Sequence, residues 1–303
     1  MLLRYMPLTF NFNIIKLRYV SFAFSLLLVI ASAAFYGLKN FNYGIDFKGG
    51  VMIEVRSTTP IELSTVRSEL NALNIGDVSV QEFGSPNDLL IKFEQQKDGI
   101  EGKNQALEKI EQKFKNQFEI RRTETVGPKQ GKELIQNGIL AILYGLLAIL
   151  IYIWFRFEWQ FGLCAVIALL QNALVVFGYY SVFQVEFNTT AIVAVLTTIG
   201  YTINDTVVIY DRIRENLRKY KKKAIPDLIN LSINETLSRT LMTSGTTLVA
   251  LFSLYFFGGE VIASYSLPII VGVVIGTYSS ILIAGPLLLN FNLRQLQKEE
   301  DTP

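Results

Sequence analysis

Six stretches of this chain run for at least about 18 residues almost without charge, long enough for a helix to cross the hydrocarbon of a bilayer. They are Tyr19 to Leu38, Leu134 to Phe155, Trp159 to Val185, Phe187 to Tyr210, Thr240 to Gly259 and Val261 to Leu293. Water is absent at that depth, so each stretch must satisfy its backbone internally, which predicts helices. Only the fourth is broken by a charge, Asp205. The composition agrees with a membrane protein: half of the 303 residues are hydrophobic, 18% are charged, and mean hydropathy is +0.34. A net charge of +2 offers no electrostatic case for a nucleic-acid partner, and none is expected.

Orientation follows from where Lys and Arg fall beside the segments. Arg4, Lys16 and Arg18 precede segment one, and Arg212, Arg214, Arg218, Lys219, Lys221, Lys222 and Lys223 crowd the loop expected after segment four. Six crossings with both termini cytoplasmic satisfy both clusters. Ala31-Ser32-Ala33 resembles a signal-peptide cleavage site, but the apolar run continues through Phe35 and Tyr36, so a retained membrane helix is expected. The predicted organisation is a cytoplasmic N-terminus with helix one (1–40), an extracytoplasmic domain (41–131), a five-helix membrane bundle (132–293) and a cytoplasmic tail (294–303).

The stretch between segments one and two carries charges of both signs and reads as a small domain of about 90 residues, enough for one core. Val51 to Val55, Val78 to Phe83, Leu89 to Phe93 and Glu119 to Val126 have strand character, and Ile61 to Leu73 and Ile100 to Phe118 have helical spacing. Ser57-Thr58-Thr59-Pro60 offers a cap for the first of these helices. The order β-α-β-β-α-β predicts a ferredoxin-like α+β domain beside an α-helical membrane bundle.

The chain has no histidine and one cysteine, Cys164. Histidine-based triads, Cys/His zinc sites and internal disulfides are thereby excluded, and neither a metal, a cofactor nor an enzymatic activity is expected. Chemistry falls instead on Asp205, roughly 9 Å along the helix from Asp211 and so within or close to the inner half of the hydrocarbon. A carboxylate there is costly unless paired, hydrated or neutralised by a proton. A group that exists in both states is what proton carriage needs; the simpler alternative is an interfacial residue that merely hydrates the helix end. Tyr201 and Thr202, one turn earlier, and Thr198, two turns earlier, extend a polar stripe toward it. Arg239, opening segment five, is the natural counter-charge, with Thr243 and Thr246 on its face; its alternative is a positive-inside anchor. Gly272, Gly276 and Ser280 form a small-residue row in segment six that admits another helix closely. Gln171 and Asn172 in segment three are expected to face the bundle interior and to hold helices together.

Three separated motifs resemble one family. Asn42-Tyr43-Gly44-Ile45-Asp46-Phe47-Lys48-Gly49-Gly50 resembles the G-I-D-F-x-G-G signature that opens the first extracytoplasmic domain of SecD and SecF proteins. The run from Gly200 to Asn216 looks like the SecF form of segment four, and Ser238-Arg239-Thr240, Phe257-Gly258-Gly259 and Gly276-Thr277-Tyr278-Ser279-Ser280 are similar to the rest of that bundle. The resemblance implies a bacterial inner (plasma) membrane protein related to the resistance-nodulation-division exporters. It implies partnership with SecD and with the SecYEG channel, and use of the proton-motive force to promote export of preproteins. It maps the family's membrane aspartate onto Asp205 and its facing arginine onto Arg239. The chain departs from the family at Gln171-Asn172, where many members carry His-Asp. Two other readings remain at this stage: a subunit of a proton-driven small-molecule exporter, and a passive scaffold of the export machinery.

Overall fold

A computed structural model describes residues 10–57, 62–73, 75–76, 78–83, 85–94, 99–114 and 117–293. Six of its helices are long and apolar enough to cross a membrane. They are α1 (Arg18–Lys39), then, beyond a small domain, α5 (Pro128–Arg156), α6 (Trp159–Phe183), α7 (Thr189–Lys219), α8 (Ile225–Phe257) and α9 (Gly259–Ser279). The last continues through a π turn (Ser280–Ala284) into α10 (Gly285–Leu287).

The small domain begins with β1 (Asn42–Tyr43) and a one-turn α2 (Ile45–Lys48). It continues through β2 (Gly50–Ser57), α3 (Leu63–Asn71), β3 (Val78–Phe83), β4 (Ser85–Glu94), α4 (Gly99–Phe114) and β5 (Phe118–Val126). The four long strands form one antiparallel sheet in the order β3-β4-β2-β5. Alternation along β2 sends Val51, Ile53 and Val55 into the core, where they meet Val66 and Leu70 of α3 and Ile110 and Phe114 of α4. The predicted helix to Phe118 stops at Phe114, because Phe118 is taken into β5 and stacks on Phe114 at 4.5 Å. The expected cap at Ser57 to Pro60 extends into residues outside those described, as do the N-terminal Arg4 and the tail from 294.

Within the bundle, α6, α7 and α9 form the buried middle, while α1, α5 and α8 present mostly exposed faces. This division follows from composition: small and polar side chains such as Ala165, Ala168, Asn172, Thr198 and Ser280 let the middle helices approach closely. Two segments run further than their uncharged lengths. The basic residues Arg212, Arg214, Arg218 and Lys219 lie on α7 rather than in a loop, and α8 begins at Ile225. The helices therefore project past the apolar slab as a hairpin. It is joined by Arg212 to Glu235 at 2.7 Å and by Asn216 to Ser232 and Glu235 at 2.9 and 2.7 Å. The segment before α1 docks on this hairpin, with Asn234 bonding both the N–H and the carbonyl of Phe12 at 2.8 Å.

The small domain is tied to the bundle at its base. β1 pairs in parallel with β6 (Glu186–Phe187), the two residues just before α7. Lys92 of β4 pairs with Glu186 at 3.1 Å. Gly44 donates its N–H to the Phe187 carbonyl at 2.9 Å, and a β-carbon on Gly44 would stand 2.5 Å from the Glu186 carboxylate. Asp46 accepts a hydrogen bond from the backbone N–H of Thr189, the first residue of α7, at 3.1 Å. The glycine pair has two separate reasons. Gly49 ends α2 at φ 87°, a region that favours glycine, and a β-carbon on Gly50 would lie 2.5 Å from the Phe93 carbonyl oxygen.

Candidate functional site

Asp205 sits near the middle of α7 and is only 6% exposed. Its two carboxylate oxygens face α8: Oδ1 accepts from Thr243 Oγ1 at 3.2 Å and Oδ2 from Ser244 Oγ at 3.4 Å. Ser244 in turn shares a 2.7 Å hydrogen bond with Thr277 Oγ1 of α9. The carboxylate thus lies where three spans meet, and its direct partners are neutral hydroxyls.

The polar stripe of α7 divides into two sides. Thr202, one residue out of step with Tyr201, points inward, accepting from Asn172 Nδ2 of α6 at 2.8 Å and donating to the Thr198 carbonyl. Thr206 continues this inner side, sharing a 2.9 Å bond with Ser280 of the π turn. The small-residue row of α9 explains how these groups come so close. A β-carbon on Gly272 would collide with the Thr198 side chain, and one on Gly276 would collide with Thr202 and stand 3.1 Å from Asn172 Nδ2. The row therefore packs α9 onto the threonine side of α7. Asn172 is fully buried and holds α6 to α7, in keeping with a gluing role. Both side-chain polar atoms of Gln171 are buried without a hydrogen-bond partner, as is the hydroxyl of Tyr201, a residue that packs against Ala194, Ile269 and Val273.

Arg239 lies one turn before Thr243 on α8 and is exposed; it forms no ion pair with Asp205. Thr243 and Thr246 are exposed on the same face, and Thr246 donates only to the Met242 and Thr243 carbonyls of its own helix. Arg239, Thr243 and Thr246 do share a face as the spacing predicts, but only Thr243 reaches Asp205. The face of α8 that is buried instead carries Leu237, Thr240 and Ser244. Ser244 was missed by sequence reasoning because one residue around a helix is a turn of roughly 100°. The signal was the run of adjacent hydroxyls Thr243 and Ser244, which puts one hydroxyl on each side of the boundary. Asp46 as a cap for α7 also escaped, since its partner is 143 residues away.

Comparison with known proteins decides the family. The model for the C-terminal part of protein export membrane proteins SecD/SecF matches residues 106–294, and the model for the SecD/SecF GG motif matches residues 40–61. The chain belongs to the SecD/SecF family, on its SecF side. It is 48% identical over 260 residues to the protein translocase subunit SecF of Rickettsia bellii, covering 85% of this chain and 86% of that one. The SecF of Rickettsia prowazekii is 46% identical over 260 residues, with 85% and 84% covered. Among solved structures, the chain resembles SecDF, a translocon-associated membrane protein from Thermus thermophilus, with a TM-score of 0.78 at 36% identity. A super-membrane-facing form of SecDF gives 0.71 at 36% identity. The chain is covered to 94% and 97% by these matches, but spans only 39% and 40% of the SecDF chains. All three motifs that carried the resemblance, the glycine-rich one at the base of the small domain, the one around Asp205 and the set from Ser238 to Ser280, fall inside the matched regions.

Proposed function

We propose that this SecF-family chain pairs with a SecD subunit in a bacterial inner (plasma) membrane and uses the proton-motive force to promote export of preproteins through the SecYEG channel. The observation that carries the reading is a carboxylate buried between three membrane spans and held there by hydroxyls alone. The relatives' names and the length of the SecDF chains support the partner. In this reading residues 41–131 form an extracytoplasmic domain of ferredoxin-like fold, supported by the β-α-β-β-α-β order and by β2 lying inside the sheet. Residues 1–40 hold the cytoplasmic N-terminus and first helix, 132–293 the five-helix bundle, and 294–303 a cytoplasmic tail. Both termini are cytoplasmic, in accord with the basic end of α7.

Asp205 binds and releases the proton. Ionised, it accepts from Thr243 and Ser244 and so joins α7 to α8; protonated, it loses its charge and part of its accepting capacity, and Ser244 is left to Thr277. The exposed face of α8, with Arg239, Thr243 and Thr246, borders the route to the carboxylate together with Tyr201, and Thr202 fixes the closed side. Arg239 acts through its charge on that route. Each charge that crosses the full potential supplies about 2.3 kcal/mol per 100 mV, enough to bias a two-state helix contact by more than tenfold. The movement passes along α7 to Thr189 and thence to the small domain, which holds or pulls the emerging polypeptide. The test is Asp205→Asn in the assembled SecD-containing complex, reconstituted with the channel in proteoliposomes. Loss of the stimulation of export by an imposed proton gradient is expected; full stimulation in the variant overturns the proposal.

A further inference from the structure

An apolar opening in the bundle lies apart from Asp205 and its hydroxyl partners. It is a groove of about 380 Å³ bounded by Val29, Ser32 and Tyr36 of α1, by Ile139 and Ile142 of α5 and by Leu174 of α6. Phe41, Tyr43 and Phe47 of the glycine-rich region and Phe187 of β6 close one end, their rings in contact with centroids 4.5 to 6.3 Å apart.

The groove exists because α1 and α5 both pack on α6 without extensive contact with each other. Ser32 of α1 sits directly against Gly178 of α6, and Gly138 of α5 sits against Ile192 of α7. The gap between these two anchored helices opens sideways: Ile139, Leu174 and Tyr36 are 55%, 43% and 43% exposed. Since α1 and α5 are membrane spans, that opening faces hydrocarbon rather than water. Void space beside these side chains forfeits their dispersion contacts, and a flexible alkyl chain restores them.

Charge identifies the rest of the ligand. Lys39 closes α1 one turn beyond Tyr36, and Lys132 lies one turn before Ile135, another groove residue, on α5. Both lysines are exposed, at the end of the bundle where the small domain begins, and among the described residues neither is ion-paired. Apolar groove and basic rim are thus stacked in the order of an acyl chain and its headgroup.

We propose that this groove binds one acyl chain of an anionic phospholipid from the leaflet adjoining the small domain, with Lys39 and Lys132 holding the headgroup phosphate. The site does not depend on the export reading. Its occupant lies under the aromatic roof that joins β1 to β6, so lipid composition bears on how firmly the small domain is seated.

The test uses the full chain in nanodiscs carrying phosphatidylglycerol with a photoactivatable group on one acyl chain, and the same label on phosphatidylcholine. Crosslinks located by peptide mass spectrometry are expected to concentrate at Val29, Ile139 and Leu174. Leu174→Trp, which fills the groove, should reduce them severalfold. The Lys39→Gln, Lys132→Gln variant should abolish the preference for phosphatidylglycerol while leaving the fold unchanged by circular dichroism. Labelling spread evenly over exposed apolar faces such as Val249 and Phe252 overturns the proposal. So does an unchanged headgroup preference in the lysine variant, or capture of a co-purified polypeptide at the groove positions in place of lipid.

Discussion

Asp205 costs stability wherever its charge is not matched, and its matching here is modest. Two neutral hydroxyl bonds, at 3.2 and 3.4 Å, contribute about 1 kcal/mol each. Together they amount to roughly a thirtyfold bias between α8 held to α7 and α8 released. In the proposed mechanism a clamp of this strength can both hold α8 and release it when Asp205 is protonated. The double variant Thr243→Val, Ser244→Ala is therefore expected to assemble normally yet to show proton-driven export reduced by up to roughly thirtyfold, measured as precursor translocated per imposed pH gradient. Wild-type rates in that variant would show that the hydroxyls are mere packing. Arg239 calls for a different experiment. Because it is exposed and makes no ion pair with Asp205, its positive charge matters more than the fork of its guanidinium. Arg239→Lys should retain most of the gradient-driven export and Arg239→Gln should lose it; equal loss in both would assign Arg239 a bidentate partner.

At the scale of elements, the close contact of α9 on α7 depends on hydrogen atoms where other residues have a methyl. Gly276→Val would press into Thr202 and Asn172 and break the 2.8 Å bond that holds α6 to α7. Overpacking and the lost buried bond together cost about 2–4 kcal/mol, expected as a lower thermal midpoint of the detergent-solubilised protein and as reduced amounts in the membrane. Substituting Gly245, beside which a β-carbon meets nothing, by Ala should change neither. The row at Gly272, Gly276 and Ser280 was legible in the sequence, since four-residue spacing of small residues has one helical meaning. So was the number of spans, because a charge-free length is a direct requirement of the bilayer, and so were the four strands of the sheet, because residues alternate along them. The ends of α7 and α8 were not. A helix persists into water when other helices cover it, and the reading by charge stopped at Asp211 although the same helix runs to Lys219. The buried side of α8 was hard to read for a related reason: hydroxyls at 240, 243, 244, 246 and 247 cover roughly half of the helix's circumference, and only its neighbours determine which of them are buried.

Taken as a whole, the molecule joins the small domain to the membrane bundle at several places, among them α2 against α5, β3 against α9 and the start of α7. The middle of α7 carries Asp205, and its first turn is held by two side chains from different parts of the chain. Asn188 caps it locally, accepting from the Ala191 N–H at 3.3 Å, and Asp46 caps it from the small domain, accepting from Thr189 N–H at 3.1 Å. A carboxylate at a helix N-terminus also gains from the helix dipole, and its one strong bond spans the boundary between domain and bundle. The arrangement makes Asp46 a path by which a shift of the first turn of α7 reaches the sheet, through α2 and Gly49-Gly50 into β2. Removing it should weaken the joint more than the fold, because Asn188 remains to cap the helix. Asp46→Ala is expected to cost about 1 kcal/mol at the α7 terminus, which raises hydrogen exchange at Thr189 about fivefold. Protection of the β2 and β4 amides, which the antiparallel ladder governs, should stay as in the wild type. Gradient-driven export should fall even though Asp205 and its hydroxyls are intact, whereas Asn188→Ala, with the same local cost, should leave export nearly unchanged. If the two cap variants lose export equally, α7 needs only a firm first turn, and the domain is moved by the β1–β6 pair instead.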